Sequence, residues 1–277
     1  MVLLNPIDVI LWTIRRNEKD VVNLYSSLSP IMQLATGGSM LNFGLWSETE
    51  TEPIMAQNNL CSYFGVLSEL GDAKNVVDVG SGLSAPAMFW KKQYPSLDFY
   101  CVNTNYRQLA FAGPQKNIEF FNSTSTKLPF AKNSVDRVVA LESPQHFKPL
   151  ENFISESKRV LKKSGLLALA MPVILKRVSL GKLGILKFTW SSEHYVLDYV
   201  KNLVVSGGFE ILDEKLIGND VYVPLADYYI KNRFMLKKSI LEKYPQYVES
   251  VLYKSLLKMK EASRNHDIDY VLLKCIS

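Results

Sequence analysis

The side chains in this sequence best suited to moving a proton are three histidines and a few carboxylates. Histidine titrates closest to neutral pH and is the commonest general base. His146 follows an apolar run at 135–141, with Glu142 four residues before it. His194 sits in Phe188-Thr189-Trp190-Ser191-Ser192-Glu193-His194-Tyr195, and His266 in a polar connection that reads as solvated. For His146 and His194 the competing reading is a packing or surface histidine. Glu142 is a second candidate base, or a group that orients a cationic ligand. Cys61, Cys101 and Cys275 lie far apart, so neither a disulfide framework nor a metal site is expected. Their spacing suits a reducing cytoplasm.

A second pattern with chemical meaning is Val76-Val77-Asp78-Val79-Gly80-Ser81-Gly82-Leu83-Ser84, an apolar strand running into a tight turn. Gly80 and Gly82 permit backbone conformations closed to other residues and let a ligand approach the main chain. A full dinucleotide fingerprint carries a third glycine where Ser84 and Pro86 stand, and no lysine follows at phosphate-clamping spacing. A ligand without a pyrophosphate is therefore favoured, with a purely structural turn as the competing reading of the glycine pair alone. Further on, the next apolar run ends at Asn103, where a ribose-binding side chain is expected. Its amide offers a donor and an acceptor without adding charge.

These groups need a frame. From residue 75 short apolar runs alternate with amphipathic segments, the pattern of a parallel sheet with crossover helices. Strands are expected at 76–79, 99–103, 118–122, 135–141, 165–171, 209–217 and 270–275. Helices are expected at 85–93, 106–111, 150–161 and 192–206, the last capped by Ser191 or Ser192. Upstream, Asn5-Pro6 starts a helix whose Ile7, Ile10, Leu11 and Ile14 share one face, read as packing over the main domain, with membrane contact as the alternative. A second helix is expected at 20–35 before Gly37-Gly38, then an aromatic segment at 40–46, then a helix from Pro53 to Leu70. Residues 219–264 read as a Lys-rich helical insertion just before the last strand, capping one end of the sheet. The expected organisation is residues 1–70 as N-terminal helices with a covering segment, and 71–277 as the α/β domain.

Composition narrows the function classes. Hydrophobic residues at 47% and charged residues at 21% suit a globular domain and exclude extended disorder. The net charge of +5 comes from 32 basic and 27 acidic residues spread along the chain, not the stripe typical of nucleic-acid binders. The densest basic stretch, Lys231 to Lys243, reads as a solvated helix face, with an anionic substrate or a membrane surface as alternatives. No apolar run approaches the roughly 20 residues that span a bilayer. The apolar N-terminus carries Asp8 and is read as a helix, not a signal peptide.

Five segments together carry a resemblance. Asp78-Val79-Gly80-Ser81-Gly82 is similar to the first motif of class I S-adenosylmethionine-dependent methyltransferases, and Cys101-Val102-Asn103-Thr104-Asn105-Tyr106-Arg107-Gln108-Leu109 resembles their second. Ser125-Thr126-Lys127-Leu128-Pro129-Phe130 with Ser134-Val135-Asp136-Arg137-Val138 resembles their loop and fourth strand. Ala140-Leu141-Glu142-Ser143-Pro144-Gln145-His146-Phe147 and Ser157-Lys158-Arg159-Val160-Leu161-Lys162-Lys163-Ser164-Gly165 match the segments after that strand and before the fifth. Leu41-Asn42-Phe43-Gly44-Leu45-Trp46 resembles a cofactor-covering segment of the small-molecule branch that acts on polyketides and sugars.

The resemblance implies a Rossmann-like, doubly wound, seven-stranded and mostly parallel sheet that binds S-adenosylmethionine. By this likeness Asp78, Gly80 and Gly82 hold the methionine part, Asn103 with Asn105 nearby takes the ribose, and Ser81, Thr104 and Gln108 are further cofactor-binding residues. Thr124 and Ser125 border the adenine, Glu142 lies beside the sulfonium, and Tyr25 covers the cofactor. The usual acidic residue is Asn103 here, and Thr124 replaces a common aspartate. Trp46, Phe147, Trp190, Tyr195 and Tyr222 are candidates for an aromatic acceptor pocket, with core packing as the competing reading. The expected reaction is methyl transfer to a hydroxyl of a lipophilic or ring-bearing metabolite, with His146, Glu142 or His194 assisting. C-methylation of an isoprenoid, quinone or lipid is the alternative, and a non-catalytic cofactor-binding protein a further one. Nucleic-acid methylation is disfavoured, since no Asn/Asp-Pro-Pro-Tyr type of motif occurs. The acceptor's identity and the oligomeric state lie outside what these patterns encode.

Overall fold

Strands that are apolar at nearly every position must be covered on both faces. The computed structural model describes residues 5–47, 52–175, 180–190 and 193–277, and shows seven strands in one sheet, the central ones of this apolar kind. The seven are β1 (Asn75–Val79), β2 (Asp98–Asn103), β3 (Ile118–Asn122), β4 (Val135–Leu141), β5 (Leu161–Ile174), β6 (Glu210–Leu216) and β7 (Ile268–Ile276), in the spatial order β3-β2-β1-β4-β5-β7-β6. β1 to β5 pair in parallel, and β7 runs antiparallel to both β5 and β6. The sheet is the mostly parallel, doubly wound one expected. Strand order reverses between β1 and β4, so the crevice beyond their carboxyl ends is where such folds bind ligands.

The helices are α1 (Pro6–Arg15), α2 (Glu18–Thr36), α3 (Pro53–Leu67), α4 (Ala85–Gln93), α5 (Tyr106–Ala112), α6 (Leu150–Val160), α7 (Leu180–Leu183), α8 (Leu186–Thr189), α9 (Leu197–Ser206), α10 (Gly218–Leu241) and α11 (Gln246–Arg264). α10 and α11 form the helical insertion read at 219–264. One core lies between the sheet and α3, α4, α10 and α11, and a second between the sheet and α6 and α9.

Two expectations are corrected. The helix expected from residue 192 begins at Leu197, because Ile174 N–H donates to Tyr195 O at 2.9 Å and the chain stays extended through Val196. Ser191 and Ser192, expected as its caps, lie outside the described residues. α1 also turns its regular apolar face outward: Ile7, Ile10, Leu11 and Ile14 are all exposed, while Val9 and Trp12 pack inward. Its start is as read, with the Asn5 side chain accepting from Ile7 N–H at 3.0 Å. Arg16 then donates to the carbonyls of Thr13 and Lys187, tying the end of α1 to α8.

Trp90 of α4 links layers in the first core. It is fully buried, lies nearly parallel to Phe99 of β2, and donates Nε1–H to Cys61 O of α3 at 2.7 Å. Trp90→Ala is expected to cost about 3–5 kcal/mol in chemical denaturation, from lost burial and the cavity left behind.

Candidate active site

β1 ends at Val79 and the chain turns through Gly80 and Gly82, with φ of +75° and +56°. Gly80 N–H and Ser81 N–H both donate to Val102 O, at 2.7 and 3.2 Å, fixing the turn to β2. A Cβ on Gly80 would lie 2.4 Å from Ser143 Cβ, so only glycine lets the turn close against the segment after β4. Ser143 Oγ–H completes that seam by donating to Val79 O at 2.6 Å. At the end of β2, Asn103 Nδ2–H donates to Gly82 O (3.1 Å) and to Gln108 Oε1 (3.0 Å), and its Oδ1 accepts from Asn105 N–H (3.1 Å). Gln108 Nε2–H in turn donates to Ser29 Oγ of α2 at 3.1 Å.

Three ionisable groups sit at this crevice, Asp78 fully buried and Glu142 and His146 half-buried. Asp78 lies beneath the turn, its Oδ2 without a hydrogen-bond partner among the described residues, and burial pushes its carboxyl up to about 7. Glu142 caps β4 in the left-handed region, φ +50°, a strained conformation for a residue with a side chain. It accepts a 2.8 Å hydrogen bond from Phe43 N–H, yet burial still pushes its carboxyl up to about 8. His146, in the one-turn helix Pro144–His146, is pushed down to about 4 by burial, so its ring is neutral at physiological pH. Its Nε2 lies 2.6 Å from the Tyr25 hydroxyl of α2, and the rings meet edge to face.

A cleft runs through these groups. Of the residues singled out from the sequence, Tyr25, Gly80, Ser81, Gly82, Asn103, Thr104, Gln108, Ser125, Glu142, His146 and Phe147 line it. Asp78 is just below its floor. Thr124 does not line it, because its Oγ1 turns back to Thr126, while its neighbours Ser123 and Ser125 do. The five aromatic candidates divide. Phe147 reaches the cleft; Trp46, Trp190, Tyr195 and Tyr222 are not among its lining residues. Trp46 Nε1–H donates to Phe43 O at 3.1 Å and its ring packs on Tyr228. Tyr222 is buried among Phe43, Trp190 and Tyr270. The Tyr195 hydroxyl donates to Phe147 O at 2.8 Å, bracing the wall from behind. His194 does not line the cleft either: its Nε2 is 3.1 Å from Lys187 O and its ring stacks on Trp190. Its position follows from the extended segment 193–196.

The covering segment is placed by α3. Leu45 N–H donates to Ala56 O at 2.9 Å, and Gln57 Nε2–H donates to the carbonyls of Met40 and Asn42 at 3.1 and 2.8 Å. Gly44, φ +83°, allows this approach, for a Cβ there would lie 2.8 Å from Ala56 Cβ. Leu41 and Asn42 of the expected covering segment thereby reach the cleft, and so do Ser39, Lys148 and, from α2, Glu18, Val21 and Val22, to which no sequence motif points. α2 announces itself as a helix through its capping box, Asn17 with Asp20, but nothing local says which of its residues meets the sheet.

Residues 77–169 match a family model described as a methyltransferase domain. The chain is 25% identical over 239 residues to an erythromycin 3''-O-methyltransferase of Saccharopolyspora erythraea, covering 79% of this chain and 78% of that one. It is 28% identical over 113 residues to a sterol 24-C-methyltransferase of Pneumocystis carinii, covering 38% of this chain and 30% of that one. A cyclopropane synthase of Mycobacterium tuberculosis shares the fold, with a TM-score of 0.78 over 100% of both chains at 14% identity. The chain carries a methyltransferase domain of the class I, S-adenosylmethionine-dependent kind.

The groups around the methyltransferase's turn suit its cofactor. Two glycines without side chains open the main chain at the β1 end, and the orphaned Asp78 Oδ2 and Asn42 Oδ1 are buried acceptors in want of donors. Gly80→Ala is expected to lower affinity for S-adenosylhomocysteine by more than tenfold in titration calorimetry. Gly82→Ala, whose nearest neighbour to a new Cβ is Leu41 at 3.6 Å, should lose much less, limited by the roughly 1 kcal/mol cost of a left-handed alanine.

Proposed function

We propose that this enzyme methylates a hydroxyl of a lipophilic or ring-bearing small molecule, with His146 as the base. The observation that carries this reading is the half-buried His146–Tyr25 pair, with Nε2 and Oη 2.6 Å apart at the wall of the cleft that Glu142 also lines. S-adenosylmethionine, when bound, supplies an electrophilic methyl on a sulfonium. Around it Asp78, Gly80, Ser81 and Gly82 hold the methionine part, Asn103 and Thr104 the ribose, and Ser123 and Ser125 the adenine side, while Gln108 keeps Asn103 in place. Tyr25, Leu41 and Asn42 cover the cleft and exclude water, which displacement at a cationic methyl requires. A neutral imidazole accepts the hydroxyl proton as the acceptor oxygen takes the methyl. Val21, Val22, Leu83, Leu141 and Phe147 give the cleft an apolar lining suited to a lipophilic acceptor. The oxygen-directed relative from Saccharopolyspora erythraea supports the same class.

With a hydroxyl acceptor identified by incubating the enzyme with a methyl-labelled cofactor and a set of macrolide, phenol and sterol alcohols, His146→Asn should lower kcat by about 10²–10⁴. Cofactor affinity should be unchanged. A product methylated at carbon, or a variant within twofold of wild type, would sink the assignment. C-methylation keeps one observation in its favour: the Glu142 carboxyl, faced by Tyr222 and Tyr270, is placed to stabilise a substrate cation. The position of the label in the product decides between the two.

Cofactor binding should also depend on pH. A sulfonium and an ammonium favour the ionised forms of Glu142 and Asp78. Below about 8 for Glu142 and about 7 for Asp78, binding must release a proton, so affinity rises as pH climbs and levels off above 8. Calorimetry in buffers of different ionisation enthalpy reads the released protons. Glu142→Gln should confine the slope to the Asp78 range, and a flat affinity profile in wild type would remove both carboxyls from the neighbourhood of the positive charge.

A further inference from the structure

The basic stretch at 231–243 has no part in the cleft, and it forms the second half of α10. Along that half Ile230, Phe234 and Leu241 fall on one line of the helix and are all exposed, Phe234 to 87% of its surface. At 100° per residue Lys231 and Lys238 flank this line on one side and Lys237 on the other. The inward side of α10 is apolar as well, carrying Val221, Tyr222, Ala226, Tyr229 and Ile240 into the core. The helix therefore does not need its outer apolar line for folding, and a line of this kind ordinarily marks something it docks on.

The flanking charge says what. Of the acids on this face, Asp227 is engaged by Lys260 and Glu242 stands at the helix end, which leaves the lysines dominant. An apolar line edged by lysines, whose stems lie along an apolar phase while their ammonium groups reach outward, matches an anionic lipid surface. A second copy of the chain meeting this face through a two-fold axis would set lysines against lysines. α1, with Ile7, Ile10, Leu11 and Ile14 exposed, packs like α10 on α2, whose inner side lines the cleft.

We propose that the outer face of α10 docks this enzyme on an anionic lipid surface, placing the helical layer that covers the cleft against the lipid. The inference stands apart from the identity of the acceptor. The test is co-sedimentation of the full chain with vesicles of phosphatidylcholine containing phosphatidylglycerol, and with vesicles of phosphatidylcholine alone. Wild type should bind the anionic vesicles, the neutral ones far less, and binding should weaken as salt screens the lysines. The variant Lys231→Gln/Lys237→Gln/Lys238→Gln should lose about fivefold per lysine. Phe234→Ser should lose about tenfold or more from the apolar contact alone. Because Phe234 is exposed, both variants should keep wild-type cofactor affinity and thermal stability, which shows them folded. No binding to anionic vesicles would overturn the proposal, as would binding that neither variant changes. A wild-type dimer in sedimentation velocity that Phe234→Ser dissociates would overturn it in favour of a second copy.

Discussion

The site depends on how closely two strand ends meet. β1 and β4 lie side by side where the strand order reverses, and the turn after β1 folds over the segment after β4 with no space between Gly80 and Ser143 for a single added carbon. That contact aligns everything else. It sets the main chain of residues 80–82 on the carbonyl of Val102, and it starts the short turn that carries His146 from the same strand end as Glu142. A sheet with another order at this point would separate the glycine turn from the carboxylate and the histidine.

The second constraint is dehydration, acting on three groups in two directions. Burial penalises charge of either sign, so it raises Asp78 and Glu142 and lowers His146. Without ligand, stability from protonated Asp78 and Glu142 is fully present below their unfolded values of 3.8 and 4.5 and is lost as pH rises through about 7 and 8. The contribution of neutral His146 is present above 6.5 and is lost as pH falls towards about 4. A cationic ligand reverses the cost at the carboxyls and leaves the histidine neutral. Dehydration thus favours positive charge beside the two carboxyls and keeps the imidazole neutral.

Cover comes from the N-terminal helices, and polar seams attach it. Asn105 Nδ2–H donates to Ser26 Oγ at 3.1 Å, Gln108 meets Ser29, and Tyr25 meets His146, so two adjacent turns of α2 are pinned to α5 and the turn after β4. Few apolar contacts are needed where such bonds fix the register. The outward apolar lines of α1 and α10 then remain free of the core.

The sheet, its order of motifs, the glycine turn and the cofactor class were legible in the sequence because each is local: a strand of valines, glycines where φ is positive, an asparagine at a strand end, helical punctuation at Asn5. Residues 80–82, 103, 142 and 146 could be placed at one crevice from strand ends alone. What only the tertiary structure decided was which side chains from distant elements share that crevice. Trp46, Trp190 and Tyr222 carry the same aromatic signal as Phe147, yet they fill the space between the covering segment and α10, since burial of a large ring is satisfied equally well by core or by ligand. His194 is indistinguishable from His146 by type, but an extended backbone holds it on Trp190. Tyr25 gained its role from a helix packing that no periodicity encodes. Local sequence determines the conformation of each element; the site belongs to the contacts between elements, which form only when the whole sheet and its helices close around one another.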